Sequence, residues 1–242
     1  NYVIVMANSP NHKKLLYCSD YAYKKDQFDA AIFSKKILFC LDFETIVGKL
    51  LQNVHNNKYD FNMEDNDVNG QKVFMIGCNV FVNENGVLRL ESRNQFILEK
   101  IDMTRLDDDI DDLFRNLRKL VNKYKNEETG FVIWSQFEVN VMKHYAFLQK
   151  VNNTYKLFGV EVIDLMKLFQ KDLAIGVKGS FDYSIKSIAN AYRENGLIEN
   201  KDYWNKNITN GLHATYYALW YYHDKKNYKK HFDDIKYYND VD

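Results

Sequence analysis

The fold is decided by the stretch Ile37-Leu38-Phe39-Cys40-Leu41-Asp42-Phe43-Glu44-Thr45, an apolar run that ends in two carboxylates. A continuous apolar run with polar sequence on either side is typical of a strand buried on both faces. Side chains alternate along a strand, so Asp42 and Glu44 project from one face and Phe43 from the other. Two carboxylates about 7 Å apart on a buried face repel each other and lose solvation.

A divalent cation would neutralise such a pair. Mg²⁺ and Mn²⁺ are hard ions that prefer carboxylate oxygen, so Asp42 and Glu44 predict a metal site for phosphoryl-transfer chemistry. The alternative is a chance pair at a strand end, exposed to solvent. Partners from elsewhere in the chain are needed to decide between these two interpretations.

The composition predicts a folded globular protein of one large domain, or of one domain with an appendage. Its 242 residues are 46% hydrophobic and 15% aromatic, which argues against disorder. Lysine plus arginine and aspartate plus glutamate both number 33, so the net charge does not indicate a polyanionic partner. Any basic groove must therefore come from local clustering of charge.

The three cysteines, Cys18, Cys40 and Cys78, are widely spaced and odd in number. They fit neither a disulfide framework nor a zinc site, which favours a reducing, intracellular compartment. No apolar run approaches 18 residues and no signal peptide is visible, so we expect no membrane partner. The chain starts with Asn1 and ends on a polar segment, so we expect further domains of a longer chain.

Residues 1–36 are interpreted as a lead-in with a short strand at residues 2–6, and residues 37–242 as the main domain. Two strands are predicted at residues 73–82 and 87–92, joined by an Asn-Gly hairpin turn at Asn85-Gly86. Residues 94–100 are predicted to add a third short strand. A helix is predicted over residues 107–125 from apolar residues spaced by three and four.

A second buried strand is predicted at residues 130–134, and it runs into Ser135 and Glu138. Ser135 with Glu138 is the pattern of a capping box at a helix start, which is the structural alternative to a catalytic role for Glu138. A third apolar stretch, residues 160–169, carries Asp164. Three helices are predicted after it, one ending near Gly196, one over residues 212–223 and one over residues 232–242.

Five short motifs now stand in order along the chain: Asp42–Thr45, Trp134–Glu138, Asp164-Leu165, Lys178–Lys186 and Tyr238–Asp242. In this order they resemble the RNase H-like 3′–5′ exonucleases of the DEDD class, in the variant whose last motif is Tyr-x-x-x-Asp. Within that class the chain is most similar to predicted nuclease domains found beside RecB-type nucleases and in large DNA viruses. The resemblance spans roughly residues 37–242, and it is the ordered set of motifs that carries it.

The resemblance implies an α/β fold with a mixed five-stranded sheet flanked by helices in the RNase H-like arrangement. It also implies a two-metal nuclease that acts on single-stranded nucleic acid or a 3′ end with Mg²⁺ or Mn²⁺. Asp42, Glu44, Glu138 and Asp242 would ligate the two ions, and Tyr238 would orient the attacking water. A viral source is consistent with this family.

Two further residues are assigned with alternatives. Asp164 is interpreted as a strand-end residue or one that supports the ligands, with direct ligation as the alternative. Lys186 could contact a phosphate or could be a solvated helix lysine. A different class of function also stays open, namely a catalytically weakened RNase H-like domain that binds nucleic acid or serves as a scaffold within a larger protein.

Overall fold

The computed structural model describes residues 16–17, 21–48, 50–51, 70–145, 147–196, 208 and 210–241. The strand predicted at residues 2–6, Cys18 and Asp242 lie outside these ranges. The elements in chain order are β1 (Leu16–Tyr17), α1 (Tyr21–Phe33), β2 (Ile37–Val47), β3 (Gln71–Glu84), β4 (Val87–Ile97), α2 (Leu106–Asn122), β5 (Thr129–Ile133), α3 (Gln136–His144), β6 (Leu148–Val151), β7 (Thr154–Leu157), β8 (Val160–Asp164), α4 (Leu165–Lys167), β9 (Gly176–Val177), α5 (Ile185–Glu194), α6 (Gly211–His223) and α7 (Lys225–Val241).

Seven of the described strands form one mixed sheet in the order β4-β3-β2-β5-β8-β7-β6. Strand β2 pairs antiparallel with β3 and parallel with β5, while β8 runs parallel to β5. The α/β class, the mixed sheet and the flanking helices are therefore confirmed. The prediction of five strands is wrong, because a hairpin of β6 and β7 adds two strands beyond β8.

The hairpin of β6 and β7 turns at Asn152-Asn153, where both residues have positive φ angles of 48° and 64°. Asn85-Gly86, the predicted turn between β3 and β4, has the same property with φ angles of 56° and 83°. Two consecutive positive φ angles match the right-handed twist of paired strands, and asparagine and glycine adopt them most readily. The asparagine pair was thus the local signal for the two extra strands.

Strand β4 also differs from its prediction, because it is one continuous strand and not two short ones. Its pairing with β3 shifts between Ser92 and Leu90, which leaves Glu91 as an extra residue. A bulge of this kind breaks the alternation of side chains, so the sequence of one continuous strand has the pattern of two short strands. Only two strands, not three, follow β2 in the antiparallel part of the sheet.

The two faces of β2 belong to two separate cores. Phe39 and Phe43 pack in the larger core, where Phe43 contacts Phe114 of α2. Leu38 points to the opposite face and packs in a second core with residues of α1 and α5. Asp42 and Glu44 continue the Leu38 face, as the alternation predicts. Helix α1 lies in the segment interpreted as a lead-in, and its side chains are part of this second core.

None of the helices that the structure describes is both long and apolar enough to cross a membrane.

Candidate active site

A cavity of about 340 Å³ lies at the carboxyl end of β5, beside the middle of β2. Strand order reverses at this pair, since the chain continues from β2 towards β3 and from β5 towards β8. Crevices outside the carboxyl ends of strands at such a reversal are the usual binding sites of open α/β sheets. The cavity is lined by Cys40, Leu41, Asp42, Val132, Ile133, Trp134, Ser135, Glu138, Leu165, Met166, Ser184 and Ile185.

Asp42 is held by the last described helix of the chain. The Nδ2 atom of Asn239 on α7 donates a hydrogen bond of 2.6 Å to Oδ2 of Asp42. Asn239 is buried, and the two residues are 197 positions apart in the sequence. This contact orients the Asp42 carboxylate and places the Tyr238-Asn239-Asp240 segment beside β2.

Gly77 makes this approach possible. It pairs with Asp42 across β2 and β3, and a Cβ atom on Gly77 would lie 2.3 Å from Oδ1 of Asn239. Any larger residue would therefore occupy the space of the Asn239 amide. The glycine is required here for close packing of a helix on a strand, since it has no positive φ angle to satisfy.

Polar residues of β3 and β4 fasten α7 around this contact. The Gln95 side chain donates to the backbone oxygen of Lys236 at 2.6 Å, and Asn79 donates to that of Asp240 at 3.2 Å. Arg93 forms an ion pair with Asp240 at 2.7 Å. Because these side chains bond to the backbone and to an acid of α7, the helix is held in one register along the sheet.

Tyr238 and Lys186 are in direct contact. The Lys186 Nζ atom donates to the Tyr238 hydroxyl at 2.8 Å and lies 4.4 Å from the centre of the tyrosine ring. Lys186 is in the first turn of α5, and the two residues before it line the cavity. The structure thus joins two residues that the sequence assigned separately, one to the attacking water and one to a phosphate.

Glu138 lines the same cavity as Asp42, and it forms a capping box. The Ser135 backbone N–H and the Ser135 hydroxyl both donate to Oε2 of Glu138, at 3.1 and 2.9 Å. Phe137 donates its backbone N–H to the Ser135 hydroxyl. Ser135 and Glu138 therefore form the capping box that was the alternative to a catalytic role, and Glu138 also lines the cavity.

Burial raises the pKa of Glu138 to about 7, against the opposing effect of the Ser135 hydrogen bonds and with a small contribution from the charge of Asp164. The carboxyl group is therefore partly protonated near neutral pH. A metal ion would have to displace that proton before Glu138 could coordinate it.

Asp164 ends β8 and caps the helix that follows, since its side chain accepts the Lys167 backbone N–H at 2.9 Å. It lies level with Ile133 across the parallel pair of β5 and β8. Burial raises its pKa, with the Lys167 contacts acting in the opposite direction. Asp164 is thus a strand-end residue behind Glu138, and it does not line the cavity that Asp42 and Glu138 share.

Glu44 lies two residues beyond Asp42 on the same strand and is only 4% exposed. The pairing of β2 with β3 shifts directly after it, and bulges of this kind often lie beside active sites because they redirect side chains. Cys40 lies two residues before Asp42 on the cavity wall. Desolvation raises its pKa to about 11, so the thiol stays protonated and is no candidate nucleophile.

The carboxylate oxygens of Asp42 and Glu44 suit a hard divalent ion, whereas Glu138 suits one only after it loses its proton. Within the described ranges, no three side chains of histidine, cysteine, aspartate or glutamate are grouped closely enough to hold a metal ion. The predicted fourth ligand, Asp242, lies outside those ranges. The site of four carboxylates therefore stays a prediction. Two of its members, Asp42 and Glu138, line one cavity.

Sequence reasoning missed the residues that assemble this site, above all Asn239, Gly77 and Gln95. Asn239 lies inside the motif Tyr238–Asp242, next to the residues that were singled out. No local sequence pattern indicates that Asn239 bonds to Asp42.

Neither a known protein family nor a curated protein matches this sequence at a significant level.

Proposed function

We propose that this protein is a metal-dependent nuclease that hydrolyses phosphodiester bonds of single-stranded nucleic acid, from a 3′ end. The observation that carries the proposal is the cavity at the strand-order reversal, which is lined by both Asp42 and Glu138. Helix α7, which carries Tyr238, is anchored directly to Asp42. Three of the five proposed catalytic residues thus belong to one region of the molecule.

The sheet supports an RNase H-like arrangement within this proposal. Strands β2, β3 and β4 form an antiparallel meander, and β5 and β8 lie parallel to β2 on its other side. On this proposal, these five strands would be the sheet that the family resemblance implies. The hairpin of β6 and β7 is then an addition at the outer edge.

The protein's own groups would act as follows. Asp42 and Glu44 hold divalent ions, with Asp242 completing the set and Glu138 joining it once deprotonated. Two bound ions would supply stabilisation of the attacking and leaving oxygens. The Lys186 ammonium, 2.8 Å from the Tyr238 hydroxyl, stabilises negative charge that develops on that oxygen or on a phosphate beside it.

The Glu138 capping box favours a second candidate, a domain that binds nucleic acid without cleaving it. Both of the Ser135 donors are directed at one oxygen of Glu138, and burial keeps this carboxyl group partly protonated at neutral pH. If that arrangement persisted with metal present, one wall of the cavity would lack a ligand.

A cleavage assay with Mn²⁺ separates the two candidates. Oligonucleotides of DNA and RNA with a labelled 5′ end are incubated with wild-type protein, Asp42→Asn and the control Asp108→Asn, which changes an exposed aspartate of α2. We expect stepwise shortening from the 3′ end by wild type and the control, and a loss of about a thousand-fold or more in Asp42→Asn. Cleavage that survives Asp42→Asn contradicts the proposal, and binding without cleavage by wild type supports the second candidate.

A further inference from the structure

Phe181 is a large apolar side chain that is fully exposed to solvent. It lies between β9 and α5, in a loop whose other residues include Lys178, Ser180 and Asp182. An aromatic ring held entirely in water contributes nothing to the core, and both of its faces are open to a ligand. Single exposed apolar residues are common, so the position of Phe181 beside the candidate site is what gives it interest.

The loop that carries Phe181 is well ordered by its own hydrogen bonds. The Asp182 carboxylate accepts the backbone N–H and the hydroxyl of Ser184, at 2.8 and 2.7 Å. The Ser180 hydroxyl donates to the Asp182 backbone oxygen at 2.6 Å, and the Ser180 N–H donates to Val177. Phe181 is therefore presented outward by a fixed turn.

This turn is attached to the rim of the candidate active site. Trp134, which lines the cavity, donates its indole N–H to the backbone oxygen of Tyr183 at 2.9 Å. Ser184 lines the same cavity and is three residues from Phe181, so chain length alone keeps their Cα atoms within about 11 Å. That distance is about the span of two nucleotides of an extended strand.

We propose that Phe181 is a stacking platform for one base of a single-stranded nucleic acid whose phosphate backbone enters the cavity. The inference rests on the proposed function and adds to it a residue that binds substrate. A flat ring with both faces open fits a nucleobase, and such stacking tolerates any base sequence.

The surroundings of Phe181 favour a base over a protein or a membrane. A protein interface needs an apolar core of several hundred square ångströms, and here a lone ring stands among serine, lysine and aspartate. Binding to a membrane surface scales with the apolar area that is buried, and a single ring offers little of it. One aromatic ring among polar groups is sufficient for one base.

The test measures the binding of fluorescent oligonucleotides of twelve nucleotides, either deoxythymidine or uridine, by fluorescence anisotropy. EDTA is present so that no metal-dependent cleavage occurs. The variants are Phe181→Ala, Phe181→Trp, which keeps a stacking surface, and Val87→Ala. Val87 is an apolar residue with 63% exposure beside the hairpin turn of β3 and β4, at the end of the sheet away from the cavity. Since Phe181 is fully exposed, its replacement leaves the fold intact.

We expect Phe181→Ala to weaken binding by about five-fold to a hundred-fold, with Phe181→Trp and Val87→Ala close to wild type. An abasic site at one position near the 3′ end should reproduce the same loss in wild type and cause no further loss in Phe181→Ala. Equal binding by wild type and Phe181→Ala overturns the inference, as does a wild-type protein that binds neither oligonucleotide.

The two proposals fail in different ways. Cleavage by wild type together with unchanged binding by Phe181→Ala overturns the role of Phe181 and leaves the nuclease in place. Binding that depends on Phe181 without any cleavage supports the platform and overturns the hydrolytic function.

Discussion

Asp42 and Glu138 face the same cavity but are held there in opposite ways. The oxygen of Glu138 accepts hydrogen bonds from Ser135, three residues away, within a single helix start. Asp42 accepts its hydrogen bond from Asn239, which is 197 residues away on the last described helix. Glu138 is thus positioned by local structure, whereas Asp42 is positioned by a tertiary contact.

The difference teaches which part of a site a sequence can reveal. The capping box could be recognised from Ser135 and Glu138, as the alternative to a catalytic role, because a local motif satisfies its own hydrogen bonds. The partner of Asp42 could not be predicted, since its position depends on α7 packing over Gly77. The following substitutions test the two carboxylates separately, from the largest expected effect to the smallest.

The largest effect is expected for Asn239→Asp, which replaces an amide donor with a second carboxylate beside Asp42. Two like charges in hydrogen-bonding contact cannot both ionise cheaply, so we expect a loss of about 4 kcal/mol in the free energy of unfolding at pH 8. The native pair then binds a proton that the unfolded chain has lost, so the destabilisation shrinks as the pH falls towards 4. Urea unfolding across this pH range measures it.

Asn239→Ala is the matched comparison for this prediction. It removes the hydrogen bond without adding a charge, so its destabilisation should be smaller and should change much less with pH between 4 and 8. If Asn239→Asp and Asn239→Ala show the same pH dependence, then Asn239 does not contact Asp42 as described.

The locally positioned carboxylate is tested by Glu138→Gln, which should stabilise the protein at high pH. The folded pKa of Glu138 is about 7, raised by burial from 4.5, so the wild-type protein loses stability as the pH rises from about 4.5 to 7. Glutamine does not titrate. We therefore expect no difference near pH 4 and a gain of about 3 kcal/mol above pH 7.

The exposed Glu128→Gln serves as the control for removing a carboxylate. Adding Mn²⁺ sharpens the test, because a metal that binds Glu138 would stabilise the wild type above pH 7 and not the glutamine variant. A Glu138→Gln variant that is less stable than wild type at pH 8 would show that the ionised carboxylate is favoured by its surroundings.

Gly77→Ala tests the close packing of α7 on β3 that brings Asn239 to Asp42. The new Cβ atom would overlap the buried Asn239 amide, so α7 must shift, and we expect a loss of about 2 kcal/mol in stability. Gly70→Ala is the matched control, since a Cβ atom at Gly70 meets no atom of the described residues within 4 Å. Equal stabilities of the two variants in urea would mean that the close approach at Gly77 is not required.

The smallest effect is expected for Ser135→Ala, which removes the cap of α3. Loss of an N-cap side chain costs about 1 kcal/mol. The Ser135 hydroxyl also lowers the pKa of Glu138, so that pKa should rise further in the variant. Titration of the Glu138 carboxyl group by NMR measures this shift, and an unchanged pKa would contradict the hydrogen bond.

Much of the fold was predictable because its signals are local. The Asn85-Gly86 turn, the periodicity of α2 and the apolar run of β2 are set by residues close in sequence. The hairpin of β6 and β7 was missed because each strand has only four residues and lacks a continuous apolar run, although the asparagine pair marked its turn. The bulge at Glu91 was invisible because only the partner strand defines it.

The hydrogen bond between Asp42 and Asn239 has a consequence for how the protein acquires its structure. Bringing together residues so far apart carries a large loop-closure entropy, and contacts of this kind form slowly. Helix α3 with its serine cap can form early, from neighbouring residues alone. We therefore expect the cavity to be completed late, when α7 docks, and a chain that stalls before this step to present Asp42 without its amide donor.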